Sequence, residues 1–455
     1  MRYQEAVSEL FARGPEQVGI GPSLTRVEAL AELLDHPEAT APAIHLTGTN
    51  GKTTTARMCS ALLSAFGIGA GTYTSPHLVD VRERASVAGT PISEEQFAEV
   101  WGYLKPFFEQ VDGLGGSRVT FFEAATMLAF TWFSEVPVDA QVVEVGMGGT
   151  WDATNLVRGE VAVVTRIGLD HPELGETPAE KAVEKAGIIK PGAAVVTHEQ
   201  EPEVMEVLRR RVDEQGARLL IENAAFGVEG RHLAHGGQVL DLRVPTGLLR
   251  DVFVPLHGRH QAANAATALA AVQAFLGGRN LAEDTVRQAF AAVTSPGRLE
   301  VVGHSPLLVL DGAHNPAGAR VLADALLEEF VADRRTVVIG SLADKDVAGI
   351  LAALAPATGR LVVTAPASPR AASPERLRKE AEKLGMTAEV APTVEGALET
   401  AMHGAGEGDA VVVTGSLYTV GEARRLLLGD GPAGEAGEPG TGAAGGGGRP
   451  GQPAR

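Results

Sequence analysis

One cysteine among 455 residues, Cys59, leaves no partner for an intrachain disulfide, so this is not a stapled secreted scaffold. It sits on an apolar helix face, where it reads as a buried inert thiol, and a reducing cytoplasm suits it. No run approaches the roughly 18 apolar residues that a membrane-spanning helix needs. The opening stretch, MRYQEAVSELFARG, reads as a short amphipathic helix carrying acidic residues, without the unbroken apolar core of a signal peptide. Basic residues are the minority: 39 Lys and Arg against 57 Asp and Glu give a formal charge of −18, with no Lys/Arg-dense block, which argues against non-specific nucleic-acid binding. A strand-linked G-x-G-x-x-G is missing, which disfavours a dinucleotide oxidoreductase. Solenoid-length repeats and heptads are missing too. What remains, 44% hydrophobic and 21% charged, is a globular chain too long for one ordinary core. A cytoplasmic monomer acting on small molecules is expected, with neither nucleic acid nor membrane as partner.

Short β-branched runs recur, each followed by small or polar loop residues and then a helical pattern, as in APAIHLTGTNGKTTTARMCSALLSAF and DAQVVEVGMGGTWDATN. That alternation predicts parallel sheets covered by helices. The rhythm resumes in PLLVLDGAHNPAGARVLADALLEEF, RTVVIGSLADKD, GRLVVTAPASPR and GDAVVVTGSLYTVGEARRLLL, after VTSPGRLEVV, which lacks helical periodicity. The boundary is placed near Pro296 to Arg298. The expected fold is α/β: a P-loop N-terminal domain with a parallel sheet, residues 1–296, plus a smaller Rossmann-like α/β C-terminal domain, residues 297–428. From Gly429 to Arg455 glycine supplies eleven of 27 residues with almost no large apolar side chain, so this tail is expected to be disordered.

IHLTGTNGKTTT, Ile44 to Thr55, places a buried strand, a glycine turn (Gly48, Thr49, Asn50, Gly51), a lysine and hydroxyls at the start of a helix. Loop and helix N–H groups there aim partial positive charge at phosphate oxygens, and Lys52 adds a full charge. Thr53 or Thr54 can offer a hydroxyl to magnesium. Thr47 and Leu46 stand where the strict Walker spacing expects glycine, so an ordinary strand-to-helix turn is the alternative.

Glu144 lies inside the apolar run QVVEV, where an unpaired carboxylate would cost several kcal/mol and needs a cation or hydrogen-bonding partner. A structural salt bridge is the competing reading. Gly146, Gly148 and Gly149 follow it and would let a ligand approach the backbone at the carboxyl edge of the sheet. VAVVTRIGLDH ends in Asp170 and His171, which should emerge at that same edge; a strand-end histidine is otherwise a capped or solvated residue. TYTSPHLVDVRER offers Ser75, His77, Arg82 and Arg84, and Lys185 follows on a helix in EKAVEKAGIIKPG, where a solvated surface lysine is the ordinary expectation.

TGTNGKTTT, YTSPHL, FFEAATMLAF, EVGMGGTWDATN, IGLDH with ELGET and EKAGIIKPG, HGRHQAANAATALAA, SPGRLE, LDGAHNP and TGSLYTVGEAR occur in order over roughly residues 20 to 425. In these residues the chain resembles the folylpolyglutamate synthase and dihydrofolate synthase family, within the Mur ligase superfamily. The resemblance implies that Ser75, Glu144 and His171 coordinate magnesium and that the lysine matching Lys185 can carry a carbamate. It implies that Asn264 meets the adenine side of ATP, with Arg298 and Asp311 closing over the nucleotide. It further places the pterin site around GPSLTRVEAL, with Thr25 and Arg26, and around Phe122, Glu123, Trp151, Asp152 and Ala153. One departure is Thr53, where the family commonly has a small residue and cell-wall ligases of the superfamily have threonine as here; SPHL, GGTWDATN and LDGAHNP resemble the folate branch.

The reaction so implied is ATP-dependent. A folate or dihydropteroate carboxylate attacks the γ-phosphorus of MgATP, with Lys52 and the loop N–H groups neutralising charge, and the α-amine of L-glutamate then displaces phosphate from the acyl phosphate. Asp311 and His314, at a strand end of the second domain, could position or deprotonate the amine; a capped helix entry is their plainer reading. A Mur-type UDP-muramyl amino-acid ligase and a non-catalytic ATP-binding regulatory module are the alternatives.

Overall fold

The computed structural model describes residues 1–14, 23–136, 138–429 and 431. Residues 429–455, the expected disordered tail, lie outside the described residues except for Gly429 and Gly431, as do Gly21 and Pro22 of GPSLTRVEAL.

The first sheet has eight strands: β1 (Ala43–Thr47), β2 (Ala70–Tyr73), β3 (Ala85–Val87), β4 (Thr90–Pro91), β5 (Ala140–Glu144), β6 (Gly159–Val164), β7 (Ala194–Thr197) and β8 (Arg218–Ile221). Their order is β4-β3-β2-β5-β1-β6-β7-β8, all parallel except the β3 and β4 edge. β1 and β5 are buried at every position. A fully buried Val, Leu or Ile side chain contributes roughly 1.5–3 kcal/mol, and Ile44 and Leu46 of β1 and Val142 and Val143 of β5 gain this at the centre of a sheet covered on both sides. The one histidine in that centre, His45, is tolerated as a neutral ring. Burial and then the Lys190 charge push its pKa down to about 3, and Nε2 lies 2.9 Å from Thr154 Oγ1.

The helix Lys52–Ala65 packs on this sheet beside the helix Arg259–Phe275. Alanines buried along Arg259–Phe275 let the two approach closely over Ile44, Leu46, Val142 and Val163. Cys59 is buried in that layer, and burial pushes its thiol pKa up. On the opposite face the helices Glu94–Asp112 and Phe121–Glu135 bury Trp101, Phe108, Phe130 and Phe133.

A separate antiparallel sheet, β9 (Gly227–Ala234), β10 (Gly237–Val244) and β11 (Gly247–Val254), packs on the alanine-rich helix through Leu240, Leu242, Val252 and Val254. This meander departs from the expected plan of one parallel sheet per unit. The third sheet, β12 (Glu300–His304), β13 (Leu307–Leu310), β14 (Arg335–Ile339), β15 (Arg360–Val363), β16 (Ala388–Val390) and β17 (Ala410–Thr414), runs β12-β13-β17-β14-β15-β16. It is parallel apart from β12. Between the sheets Gly297 takes φ +68, and a Cβ there would meet Leu78 and Val420 at 3.1–3.2 Å, so the connection passes tightly between the two units.

β1 leads outward to β2 on one side, whereas β6, on its other side, follows β5. Next to β1 the chain therefore switches direction, which opens a crevice at the carboxyl ends of β5, β1 and β6.

Candidate functional site

The loop after β1 lies in that crevice. Gly48 has φ +143, and a Cβ there would sit 1.9 Å from Thr165 Oγ1; at Gly51, φ +92, it would sit 2.7 Å from Asn264 Oδ1. Both positions require glycine because the loop runs against the end of β6 on one side and the Asn264 helix on the other. Thr49 N–H donates to Arg166 O at 3.0 Å, and Thr47 Oγ1 donates to Gly148 O at 2.8 Å, which tie the loop to the segments after β6 and β5. Thr54 Oγ1 and Ser295 Oγ are 2.8 Å apart, which anchors the loop helix to the interdomain connection.

Two ammonium groups meet at one carbonyl. Lys52 Nζ donates to Gly48 O (3.2 Å) and Thr49 O (3.3 Å), and Lys185 Nζ donates to Gly48 O at 2.9 Å. Lys185 is buried, contrary to the ordinary expectation for a helix lysine. Its pKa falls to about 7, first through burial and then through the charge of Lys52. The helix Pro178–Lys185 is held there by Thr150 N–H, which donates to Glu184 O at 3.1 Å, and by Gly149, where a Cβ would strike the Glu184 and Lys185 carbonyls at 2.8 Å.

Glu144 stands at the end of β5, almost fully buried. Its carboxylate accepts from Thr53 Oγ1, 2.9 Å to each oxygen, and from Ser75 N–H at 3.1 Å. Burial raises its pKa despite the opposing Lys52 charge and these donors. Hydrogen bonds alone thus leave it under-compensated, and a cation beside Glu144, Thr53 and Ser75 would meet that deficit. His171, in a left-handed backbone conformation at φ +53, keeps a partly exposed ring. Burial first, with Lys345 and Lys52 adding, lowers its pKa to about 4 against the pull of Asp170, so near neutral pH it offers a lone pair. Among the described residues no group of three or more His, Cys, Asp or Glu side chains could hold a metal by itself. An ion here would use one carboxylate, one imidazole and hydroxyls, and complete its shell with ligand oxygens and water.

Asp170, next to His171, faces the second domain. Its oxygens lie 2.7 Å from Lys345 Nζ, 3.4 Å from Asn315 Nδ2 and 3.4 Å from His314 Nε2. Burial alone would raise its pKa, but His314, His171 and Lys345 outweigh that and hold the carboxyl well below the usual range. Asn315 also donates to Asn50 Oδ1 of the loop at 3.2 Å while its own oxygen caps the helix Pro316–Glu329 at Gly318 N–H, 2.8 Å. His314 Nδ1 lies 2.9 Å from Gly312 O. Asp311 is buried with both oxygens taken by backbone amides, Leu299 N–H and Ala313 N–H at 2.9 Å each. Burial raises its pKa against the nearby Arg298 charge. The geometry makes it a bracket for the domain junction, and the plainer reading fits it better than that of a free base. Arg298 passes so close to Gly312 that a Cβ there would meet its Nη1 at 2.6 Å. Asn264 lies under the loop, donating to Gln261 Oε1 at 2.8 Å.

The second set of expected residues lines the other flank. Arg26 Nε reaches both oxygens of Glu123 at 3.0 and 2.9 Å, and its Nη1 donates to Ser117 Oγ at 2.7 Å; Thr25 begins the same short helix. Phe122 lies over Gly146, where a Cβ would be 2.4 Å from the ring. Asp152 is buried and binds backbone, accepting from Met147 N–H (2.9 Å) and Thr154 N–H (3.0 Å), so it shapes the glycine loop after β5. Trp151 N–H donates to Glu184 Oε1 at 3.2 Å, and Ala153 is buried beside it. Lys345 and Asn315 were not singled out from the sequence. Asn315 could have been found, since it sits in LDGAHNP, but as a helix cap it already had a sufficient explanation.

The Mur ligase middle domain family matches residues 46–272, and the Mur ligase glutamate ligase domain family matches residues 297–417. A dihydrofolate synthase/folylpolyglutamate synthase from Mycobacterium tuberculosis is 44% identical over 449 residues, covering 92% of this chain and 92% of its own. The solved structure of Mycobacterium tuberculosis folylpolyglutamate synthase complexed with ADP superposes with a TM-score of 0.90 at 42% identity, over 95% of this chain and 99% of that one. A solved FPGS–AMPPCP–folate complex gives 0.83 at 32% identity, over 94% and 100%.

Proposed function

The chain belongs to the folylpolyglutamate synthase/dihydrofolate synthase family of the Mur ligase superfamily, and we propose from that premise that it joins L-glutamate to a folate or dihydropteroate carboxylate at the expense of ATP. The convergence of Lys52 and Lys185 on the Gly48 carbonyl, at the sheet edge where burial raises the Glu144 pKa, carries this reading.

ATP phosphates occupy the loop Gly48–Thr54, where N–H groups at the helix start face them and Lys52 turns from the loop carbonyls to the phosphate oxygens. Asn264 lies on the adenine side, and Arg298 approaches from the junction. Magnesium, when bound by Glu144, Ser75, Thr53 and His171, supplies charge neutralisation at the phosphate oxygens. Lys185, with its pKa near neutrality, has a free amine fraction able to add carbon dioxide, giving a carbamate anion and a proton. The acceptor carboxylate oxygen forms a bond to the γ-phosphorus as ADP leaves. The glutamate nitrogen then bonds to the acyl carbon, phosphate departs with the original carboxylate oxygen, and the amine releases a proton. His314 is placed to position or accept that proton, and Asp311 positions the strand end that carries it. The acceptor ring lies along Phe122, Trp151 and Ala153, with Thr25, the Arg26–Glu123 pair and Asp152 shaping the wall.

We place the reaction in the cytoplasm, which suits a buried unpaired thiol, and assign it to a monomer. Among the described residues no helix is long and apolar enough to cross a membrane. Purified protein with MgATP and labelled glutamate, offered dihydropteroate or tetrahydrofolate, tests the reading by product mass. Product from both acceptors establishes a bifunctional enzyme. Product only from a UDP-muramyl precursor transfers the chain to the cell-wall branch, and ATP binding without turnover makes it a regulatory module.

A further inference from the structure

Behind the loop helix lies a second cavity, of about 390 Å³, that shares no lining residue with the site above. That volume falls in the usual range for small-ligand sites, roughly 300–1,000 Å³. One wall is the face of Lys52–Ala65 that carries Arg57, Ser60 and Ser64, positions spaced three and four apart and so stacked along one side of the helix. The opposite wall comes from Thr72 on β2, Glu83, and the end of the helix Glu283–Ala291 with Gln288.

The donors of this cavity are under-used. No side-chain hydrogen bond or ion pair among the described residues engages Arg57, although the interior is polar. Burial presses its pKa below the ordinary value, and the charges of Glu83, which also lines the cavity, and of Glu144 and Glu300 only partly offset this. Ser64 Oγ is buried without a partner among the described residues. Ser60 Oγ accepts from Thr72 Oγ1 at 2.8 Å, so its own proton remains to be donated. Glu83, the one carboxylate on the wall among the described residues, is already held by the backbone N–H groups of Leu78, Val79 and Asp80 at 2.7–2.9 Å. A guanidinium and two hydroxyl side chains along one wall form a donor set matched to oxygen acceptors that carry negative charge. Among the described residues the lining has no aromatic side chain, which removes the stacking surface that a pterin or an adenine would use.

We infer that this cavity is a second ligand site, separate from the nucleotide crevice, for a small non-aromatic metabolite whose phosphate or carboxylate group is held by Arg57 with Ser60 and Ser64. It does not depend on the ligase assignment. Its occupant would lie against the same helix that begins with Lys52 and against Thr294, the neighbour of the Ser295 that binds Thr54.

The test is calorimetric titration of the full chain with inorganic phosphate and, separately, with malonate. ADP and magnesium are first titrated to saturation, so that the nucleotide crevice is read independently. Saturable binding of either probe is expected, weakened at least tenfold by Arg57→Gln and likewise by Ser64→Leu, which fills the cavity from the helix side. Tighter phosphate identifies a phosphorylated ligand, and tighter malonate a carboxylate. Should Arg57→Gln fail to fold, Ser64→Leu decides alone. Absence of saturable binding for both probes, or binding that survives in the folded variants, overturns the inference.

Discussion

Glu144 and Asp170 stand at the same edge of the first sheet, Glu144 buried and Asp170 with its side chain largely covered, yet their surroundings have opposite effects. Around Glu144 the partners are a hydroxyl and an amide, burial dominates, and the carboxyl pKa rises. Around Asp170 a lysine and two polar side chains reach across from the second domain, and the carboxyl pKa drops. One carboxylate is left for a cation that arrives with a ligand; the other is already committed to holding two domains together. Sheet position therefore does not decide which acid is reactive, and the charge brought by the facing domain does.

The largest separation between them should come from Glu144→Gln. Ligase turnover, followed by ADP release, is expected to fall about a thousandfold, of the order seen when a charge-stabilising group is removed. The melting temperature should hold or rise, because an under-compensated buried charge is removed. Lys52→Ala should match that loss of turnover, and a variant of either kind with full activity would end its assigned role.

Breaking the other carboxylate's partnership should act differently. Lys345→Ala removes the nearest cation from the largely covered Asp170 carboxylate, and a cost of up to about 3 kcal/mol is expected in a double-mutant cycle with Asp170→Asn. Turnover should drop about tenfold through domain placement, and the coupling should vanish if the two act independently. Lys185 supplies a gentler probe. With its amine pKa near 7, added bicarbonate should raise activity a few-fold in a preparation depleted of carbon dioxide, and Lys185→Arg should abolish the response.

The smallest effect concerns stability. His45, His198 and His260 have pKa values lowered by burial to about 3, 4 and 4. Their unfolded forms bind protons from about pH 6.5 downward while the folded forms do not. Stability is then complete above about pH 6.5 and declines as pH falls toward those values, by at most about 2 kcal/mol per ring at pH 5. His45→Gln should flatten part of that decline in chemical denaturation.

The phosphate loop was legible because its chemistry is local: Gly48, Gly51 and Lys52 lie within five residues and the helix start follows directly. Glu144 was legible because a carboxylate inside an apolar strand conflicts with its surroundings. The Asp170–Lys345 pair was not, since 175 residues separate its members and each stands among ordinary loop residues. Burial of Lys185 was equally hidden; it depends on the close approach of Gly149, which the helix's own pattern does not record. The β9–β11 meander did carry a signal, in the alternating polarity of Leu240 to Val244 on β10 and the turns at His235-Gly236 and Pro245-Thr246, but the stronger β-loop-helix rhythm on either side drew the reading toward parallel sheets.

The most direct measurement follows one oxygen. An acceptor folate labelled with oxygen-18 in its reacting carboxylate, turned over with MgATP and glutamate, should deliver one labelled oxygen into each inorganic phosphate released. Amide product accompanied by unlabelled phosphate would contradict an acyl phosphate formed on the loop held by Lys52.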